Sequence, residues 1–72
     1  MAKRTGFKSF DLSGNLRLAR ASAEMTQEEL SISSGVGKRN LQEYEAGVKS
    51  PTVRTLEKIA KAFDIPAAEL LR

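Results

Sequence analysis

Residues 26–45 read TQEELSISSGVGKRNLQEYE, and this stretch decides the fold. Thr26 lies three residues before Glu29, which is the spacing of a capping box in the first turn of a helix. Gly35 can end that helix in the left-handed conformation that residues with a Cβ resist. Another helix is expected over about 38–45, and a glycine follows it. The stretch therefore predicts two short helices joined by a glycine-centred turn.

Three further helices are expected around this pair. Before it, apolar residues spaced four, three and four apart form one stripe of an amphipathic helix: Leu12, Leu16, Ala19 and Ala23. Asp11 or Ser13 can cap the start of that helix. After it, Thr52 can cap a helix with the clearest periodicity in the chain, formed by Val53, Leu56, Ile59, Ala60 and Phe63. Pro66 can occupy the first turn of a short terminal helix that ends at Leu71. No segment alternates like a β-strand, so the predicted fold class is all-α, with five helices in a compact domain.

The chain is short enough to form one domain at most, with 72 residues. Residues 1–10 show no helical period and are expected to be a basic flexible arm, followed by a folded domain over 11–72. Nine apolar positions are expected to form the core: Leu16, Leu30, Val36, Leu41, Leu56, Ile59, Phe63, Ile65 and Leu70.

Composition excludes several classes of function. The 12 Lys and Arg residues outnumber the 9 Asp and Glu residues, which gives a net charge of +3. Mild basicity of this kind favours polyanions but is also common in proteins that bind none. The absence of His and Cys argues against an enzyme, a zinc site and any other metal or cofactor. No apolar run approaches the ~20 residues of a membrane span, and the lack of Cys fits a cytoplasmic protein.

Three polar residues form the candidate contact surface. In a helix that begins at Lys38, residues Lys38, Arg39 and Gln42 share one face, because positions three or four apart are neighbours. Cations at the start of a helix are unfavourable, because they oppose the helix dipole. This favours a functional role for them over the alternative that they are simply solvated at the helix end. Arg or Lys can pair with guanine O6 and N7 in the DNA major groove. These residues are therefore predicted to contact bases in double-stranded DNA.

Residues 12–71 resemble the phage-repressor and Cro-type helix-turn-helix domain, the XRE family. The matching pieces are, in chain order, L-x-x-x-L-R-x-A-R, T-Q-E-E-L, G-V, Y-E-x-G, S-P-T-x-x-T-L-x-K-I-A-K-A-F and E-L-L. The resemblance implies a repressor-like fold of five helices in which helices two and three read DNA. It assigns base contacts by position to Lys38, Arg39 and Gln42.

The resemblance also implies contacts to the DNA backbone and one structural ion pair. Gln27 matches a residue that commonly contacts phosphate, and Asn40 and Lys49 match further backbone contacts. Arg20 and Glu45 match a pair that often forms a salt bridge between helix one and the end of helix three.

Four residues depart from the family pattern. Ser31 and Ser34 stand where small or apolar residues are usual, and each must find a backbone partner if it is buried. Gly37 replaces the usual Ser or Thr cap, so the turn is expected to be more mobile. Glu43 stands where a polar or basic residue often lies near the DNA backbone, which weakens that contact.

The basic arm has two interpretations. The arm carries three cations, Lys3, Arg4 and Lys8. They could contact DNA phosphates or a minor groove beyond the main contact surface, or the arm could be a solubilising tail. Its two aromatic residues, Phe7 and Phe10, could fold back over Leu18 or Ile32, which are otherwise isolated surface aliphatics.

The leading prediction is a transcriptional regulator, bacterial or phage-encoded, that reads a palindromic operator as a homodimer. Its dimer surface is expected on the last helix, around Pro66, Ala67 and Leu71. The alternative is a protein-interaction module, such as an antitoxin or a restriction-modification controller, with a protein partner at Leu18, Ile32 or the arm.

Overall fold

The computed structural model describes residues 11–71 and contains five α-helices in that range. They are α1 (Leu12–Ser22), α2 (Gln27–Ser34), α3 (Lys38–Glu45), α4 (Val53–Ala62) and α5 (Ala67–Leu70). Residues 11–71 contain no strand, so the predicted all-α class is confirmed. The predicted arm over residues 1–10 lies outside the described range. Within that range, every helix is too short or too polar to cross a membrane.

Local hydrogen bonds set the helix ends. The Thr26 hydroxyl accepts from the Glu29 N–H at 3.0 Å, and the Glu29 carboxylate accepts from the Thr26 N–H at 2.9 Å, which completes the predicted capping box at the start of α2. Asp11 caps α1 by accepting from the Gly14 N–H, and Thr52 caps α4. Pro66 lies one residue before α5, at its N-cap, and not in its first turn as predicted.

The predicted core is confirmed at seven of its nine positions. These seven are at most 7% exposed: Leu16, Leu30, Val36, Leu41, Leu56, Ile59 and Leu70. Phe63 and Ile65 are only partly buried and pack against the edge of that cluster. Val53, placed by periodicity on the apolar stripe of α4, is 71% exposed. Periodicity assigns a residue to one face of a helix but does not tell how far the neighbouring helices extend along it.

The packing of the helices supports α3 from behind. Helix α3 contacts both α1 and α2, while α4 packs against α2 and α5. Asn15 on α1 is fully buried, and its Nδ2 donates to the Leu70 carbonyl of α5 at 3.0 Å. That bond joins α1 and α5 through the core. The outer face of α3 is thereby left available for contact with another molecule.

Candidate nucleic-acid interface

Helix α3 divides its side chains between the core and the solvent. Leu41 and Tyr44 are buried, whereas Lys38, Arg39 and Gln42 are exposed. The side chain of Arg39 is 89% exposed. Because these three polar residues lie in the first two turns of one helix, they form a contiguous hydrogen-bonding surface.

The end of α3 is fixed to α1 by an ion pair. Arg20 Nε lies 2.8 Å from Glu45 Oε2, and Arg20 Nη2 donates to Glu45 Oε1 at 3.0 Å. The remaining Arg20 Nη1 donates to the Met25 carbonyl at 2.9 Å. Glu45 is only 5% exposed, and its hydrogen bond raises the pKa of Arg20 above its ordinary value. A two-pronged guanidinium–carboxylate pair fixes orientation as well as distance.

Two further side chains converge on Glu45. Arg17 donates to its backbone carbonyl, and Gln27 Nε2 donates to its Oε1 at 3.1 Å. Gln27 is therefore partly buried at the start of α2 and is joined to the end of α3. Gln27 is predicted from the family resemblance to contact phosphate, and its bond to Glu45 was not predicted, since side-chain contacts between separate helices leave no local signal in the sequence.

The carboxylate of Glu43, on α3, lies close to the cations of Lys49 and Arg39. Lys49 Nζ is 3.0 Å from Glu43 Oε1 and donates to Asn40 Oδ1 at 2.7 Å. Glu43 Oε2 lies 3.7 Å from Arg39 Nε. The hydrogen bond from Lys49, followed by the charges of Lys49 and Arg39, lowers the pKa of Glu43. The ammonium of Lys49 also lies 5.8 Å from the centre of the Tyr44 ring.

The turn between α2 and α3 is held by the two unusual serines. Ser31 Oγ donates to the Val36 carbonyl at 2.6 Å, and Ser34 Oγ accepts from the Val36 N–H at 3.2 Å. Both serines thus find the backbone partners that burial requires. Gly35 adopts φ +79°, and Gly37 caps α3 without a side-chain bond. The hydroxyls of both serines bond to the backbone of Val36, and these two bonds hold the turn between α2 and α3.

The remaining predicted contact residues are separate from α3 or lie outside the described range. Lys3, Arg4 and Lys8 belong to residues 1–10, which are not described. At the other end, Leu71 is 49% exposed, Pro66 is exposed and Ala67 is partly buried. Within residues 11–71, no group of carboxylate side chains is arranged to hold a metal ion.

Comparison with known proteins identifies the class. The helix-turn-helix family model HTH_3 matches residues 16–70, and the chain belongs to this family. The family supplies DNA-binding domains to transcriptional regulators and is not an enzyme family. The resemblance drawn from the sequence is therefore confirmed, as is the expectation that these residues form a DNA-binding domain of the type found in transcriptional regulators and not an enzyme domain.

Two regulators are similar to the chain in sequence. It is 41% identical over 59 residues to the cryptic phage CTXphi transcriptional repressor RstR of Vibrio cholerae. The aligned residues make up 82% of this chain and 53% of the repressor. It is 32% identical over 59 residues to an uncharacterised HTH-type transcriptional regulator, y4dL, of Sinorhizobium fredii, and there it spans 30% of the relative's length. The chain thus spans about half or less of these two relatives.

Two solved structures share the fold. An HTH_3 family transcriptional regulator from Vibrio cholerae superposes with a TM-score of 0.80 at 29% identity, over 94% of this chain and 38% of that one. A hypothetical transcription factor from Neisseria, NHTF, gives a TM-score of 0.81 at 25% identity, over 100% of this chain and 82% of that one.

Proposed function

We propose that the domain reads a specific sequence in double-stranded DNA by placing the start of α3 in the major groove. The exposed trio of Lys38, Arg39 and Gln42, on a helix braced from behind, is the observation that carries this proposal. Lys and Arg can donate to O6 and N7 of guanine, and Gln can bond both N6 and N7 of adenine. These are the contacts that distinguish base pairs from one another.

Contacts to the DNA backbone would then orient α3 in the groove. Asn40 on α3 and Lys49 in the following loop are already joined by a hydrogen bond of 2.7 Å between Lys49 Nζ and Asn40 Oδ1, and phosphates would flank the groove there. Gln27 would contact a phosphate near the start of α2 while its bond to Glu45 limits its position. The cations of the arm, Lys3, Arg4 and Lys8, would add contacts beyond the main surface.

The proposed target is a palindromic operator, bound by a homodimer. A single module with few base contacts has limited affinity, and a second linked copy raises it through effective concentration. Two copies of α3 would read half-sites one helical turn apart, roughly 34 Å. The proposed dimer surface is Pro66, Ala67 and Leu71, because the exposed Leu71 adds apolar area at the end of the fold.

Repression is the proposed regulatory outcome. The similarity to a phage repressor supports it, although the chain spans only 53% of that protein. A domain that occupies an operator blocks access to the DNA without needing any chemistry of its own. Such a role suits a chain that has neither His nor Cys.

Selection of bound sites from a random pool of duplexes tests the proposed function. We expect a two-fold symmetric consensus whose half-sites contain guanine. Selection of an asymmetric consensus would contradict the homodimer, and the absence of any enrichment would contradict sequence-specific binding.

The dimer surface has its own test. Leu71→Arg should weaken operator binding and leave the thermal melt unchanged, because the residue is exposed. Ile32→Arg is the matched control, since Ile32 is a 77% exposed aliphatic residue on α2. If Ile32→Arg weakens operator binding and Leu71→Arg does not, the partner surface lies on α2 and the proposed assignment is wrong.

A further inference from the structure

We propose that Glu43 is a specificity-determining residue: its carboxylate occupies Arg39 and Lys49 in the free protein and so suppresses binding to DNA of arbitrary sequence. The proposal rests on the proposed function of α3. Glu43 would act as an internal substitute for a DNA phosphate, at the place where one would otherwise bind.

One carboxylate engages both cations through different oxygens. Glu43 Oε1 is 3.0 Å from Lys49 Nζ, and Oε2 is 3.7 Å from Arg39 Nε. Asn40 joins the same group by accepting from Lys49 at 2.7 Å. Glu43 therefore lies between a residue proposed to read bases and two residues proposed to contact phosphate.

Backbone hydrogen bonds already hold the loop that carries Lys49. The backbone N–H groups of Val48 and Lys49 both donate to the Glu43 carbonyl, at 3.0 and 3.3 Å. Gly47 has a φ of +76°, which turns the chain directly after α3. Ion pairs this exposed contribute little to folding. A purely structural role thus leaves the position of this negative charge unexplained.

The charge would affect arbitrary and specific DNA differently. Binding to arbitrary DNA depends on cations that neutralise phosphates, and Glu43 both competes for those cations and repels the phosphates. Base recognition is less affected, because a guanidinium has five N–H donors. Arg39 can turn its exposed donors to guanine while its Nε still faces Glu43. The carboxylate would therefore penalise arbitrary DNA more than the specific site.

The carboxylate carries its charge under ordinary conditions. Lys49 and Arg39 lower the pKa of Glu43 below that of a free glutamate, so it remains ionised at neutral pH. Its side chain is 32% exposed, so an approaching phosphate would meet this charge.

The test compares Glu43→Gln with Glu57→Gln, which removes the same charge from an exposed site on α4. Affinity is measured over a range of salt for a duplex of arbitrary sequence and for a selected site. We expect Glu43→Gln to bind the arbitrary duplex about tenfold more tightly, with a salt slope steeper by roughly one to two units, as expected for one or two additional phosphate contacts. The selected site should gain less, so that the ratio of the two affinities falls. Glu57→Gln should change both affinities alike and only slightly.

A second pair of variants shows whether the effect passes through Lys49. Lys49→Gln should weaken binding to the arbitrary duplex more in the Glu43→Gln background than in the unaltered protein, because Lys49 is no longer occupied there. Equal behaviour of Glu43→Gln and Glu57→Gln, with the unaltered protein binding DNA, overturns the role of Glu43 alone. Failure of the unaltered protein to bind any duplex at low salt overturns the proposed function and this inference with it.

Discussion

Arg20 on α1 and Glu45 at the end of α3 form a two-pronged ion pair, with N–O distances of 2.8 and 3.0 Å. Glu45 is 5% exposed, and the side chain of Arg20 is 24% exposed. The pair connects α1 to the last turn of α3, the helix proposed to read DNA. It therefore joins α3 to α1 without using any of the three side chains proposed to contact bases.

Arg20→Met should destabilise the domain, because it leaves the buried Glu45 carboxylate without its main partner. We expect the free energy of unfolding to fall by about 2–3 kcal/mol, which is at or below the lower end of the range for breaking a buried ion pair. The value is low because Arg20 is partly exposed and Gln27 still donates to Glu45. In a domain of this size such a loss lowers the melting temperature by roughly 10 °C or more. Thermal melts check it, with the exposed Arg54→Met as the control. Equal melting temperatures for the two variants would show that the pair contributes no more than an exposed one.

Ser31→Ala should loosen the turn between α2 and α3. The substitution removes the donor to the carbonyl of Val36, a residue that is 7% exposed, and should cost about 1 kcal/mol. Ser33→Ala is the matched control, because Ser33 is exposed on the same helix. Chemical denaturation of both variants measures the difference. Identical midpoints would mean that the Ser31 hydroxyl does not stabilise the turn.

Gly37→Ser should stabilise the protein. Gly37 occupies the N-cap of α3 with an ordinary φ of −58°, and a Cβ there would meet its nearest neighbour at 3.7 Å. A serine hydroxyl can accept a first-turn N–H, which is worth a few tenths of a kcal/mol relative to glycine. Gly35→Ala is the contrasting variant: it should destabilise by about 1 kcal/mol, because its φ is +79° although the space around it is open. Reversed signs in the two melts would contradict these backbone assignments.

The ion pairs of Glu43 should give a pH-dependent contribution to stability. Lys49 lowers the pKa of Glu43 in the folded protein, so the contribution is present above the unfolded value of about 4.3 and is lost as the pH falls through the lower folded value. The melting temperatures of the unaltered protein and Glu43→Gln should therefore differ slightly at pH 7 and converge once the pH has fallen below the lowered pKa of Glu43. A difference that grows on acidification would have the wrong sign for this ion pair.

Both ends of α2 were predictable because capping is local in sequence. Thr26 and Glu29 are three residues apart, and Gly35 alone supplies the left-handed turn. The outward position of residues 38, 39 and 42 followed from helical spacing in the same way. Short-range patterns of this kind do not depend on how the rest of the chain packs.

Contacts between distant residues were not predictable from such patterns. Asn15 is fully buried and bonds to a carbonyl 55 residues away, a contact that no spacing along the sequence indicates. The pairing of Arg39 with Glu43 has a four-residue spacing that could have been recognised. The contact of Lys49 with the same carboxylate could not have been recognised, because it depends on the path of the loop after α3.

The most direct measurement compares the triple variant Lys38→Ala, Arg39→Ala and Gln42→Ala with the unaltered protein. Competition between a selected site and a scrambled duplex of equal length, at fixed salt, gives the specificity ratio of each. The account predicts that the ratio falls to about one for the triple variant, while its circular dichroism remains helical and some affinity for both duplexes persists. A folded triple variant that still prefers the selected site would contradict base recognition by α3.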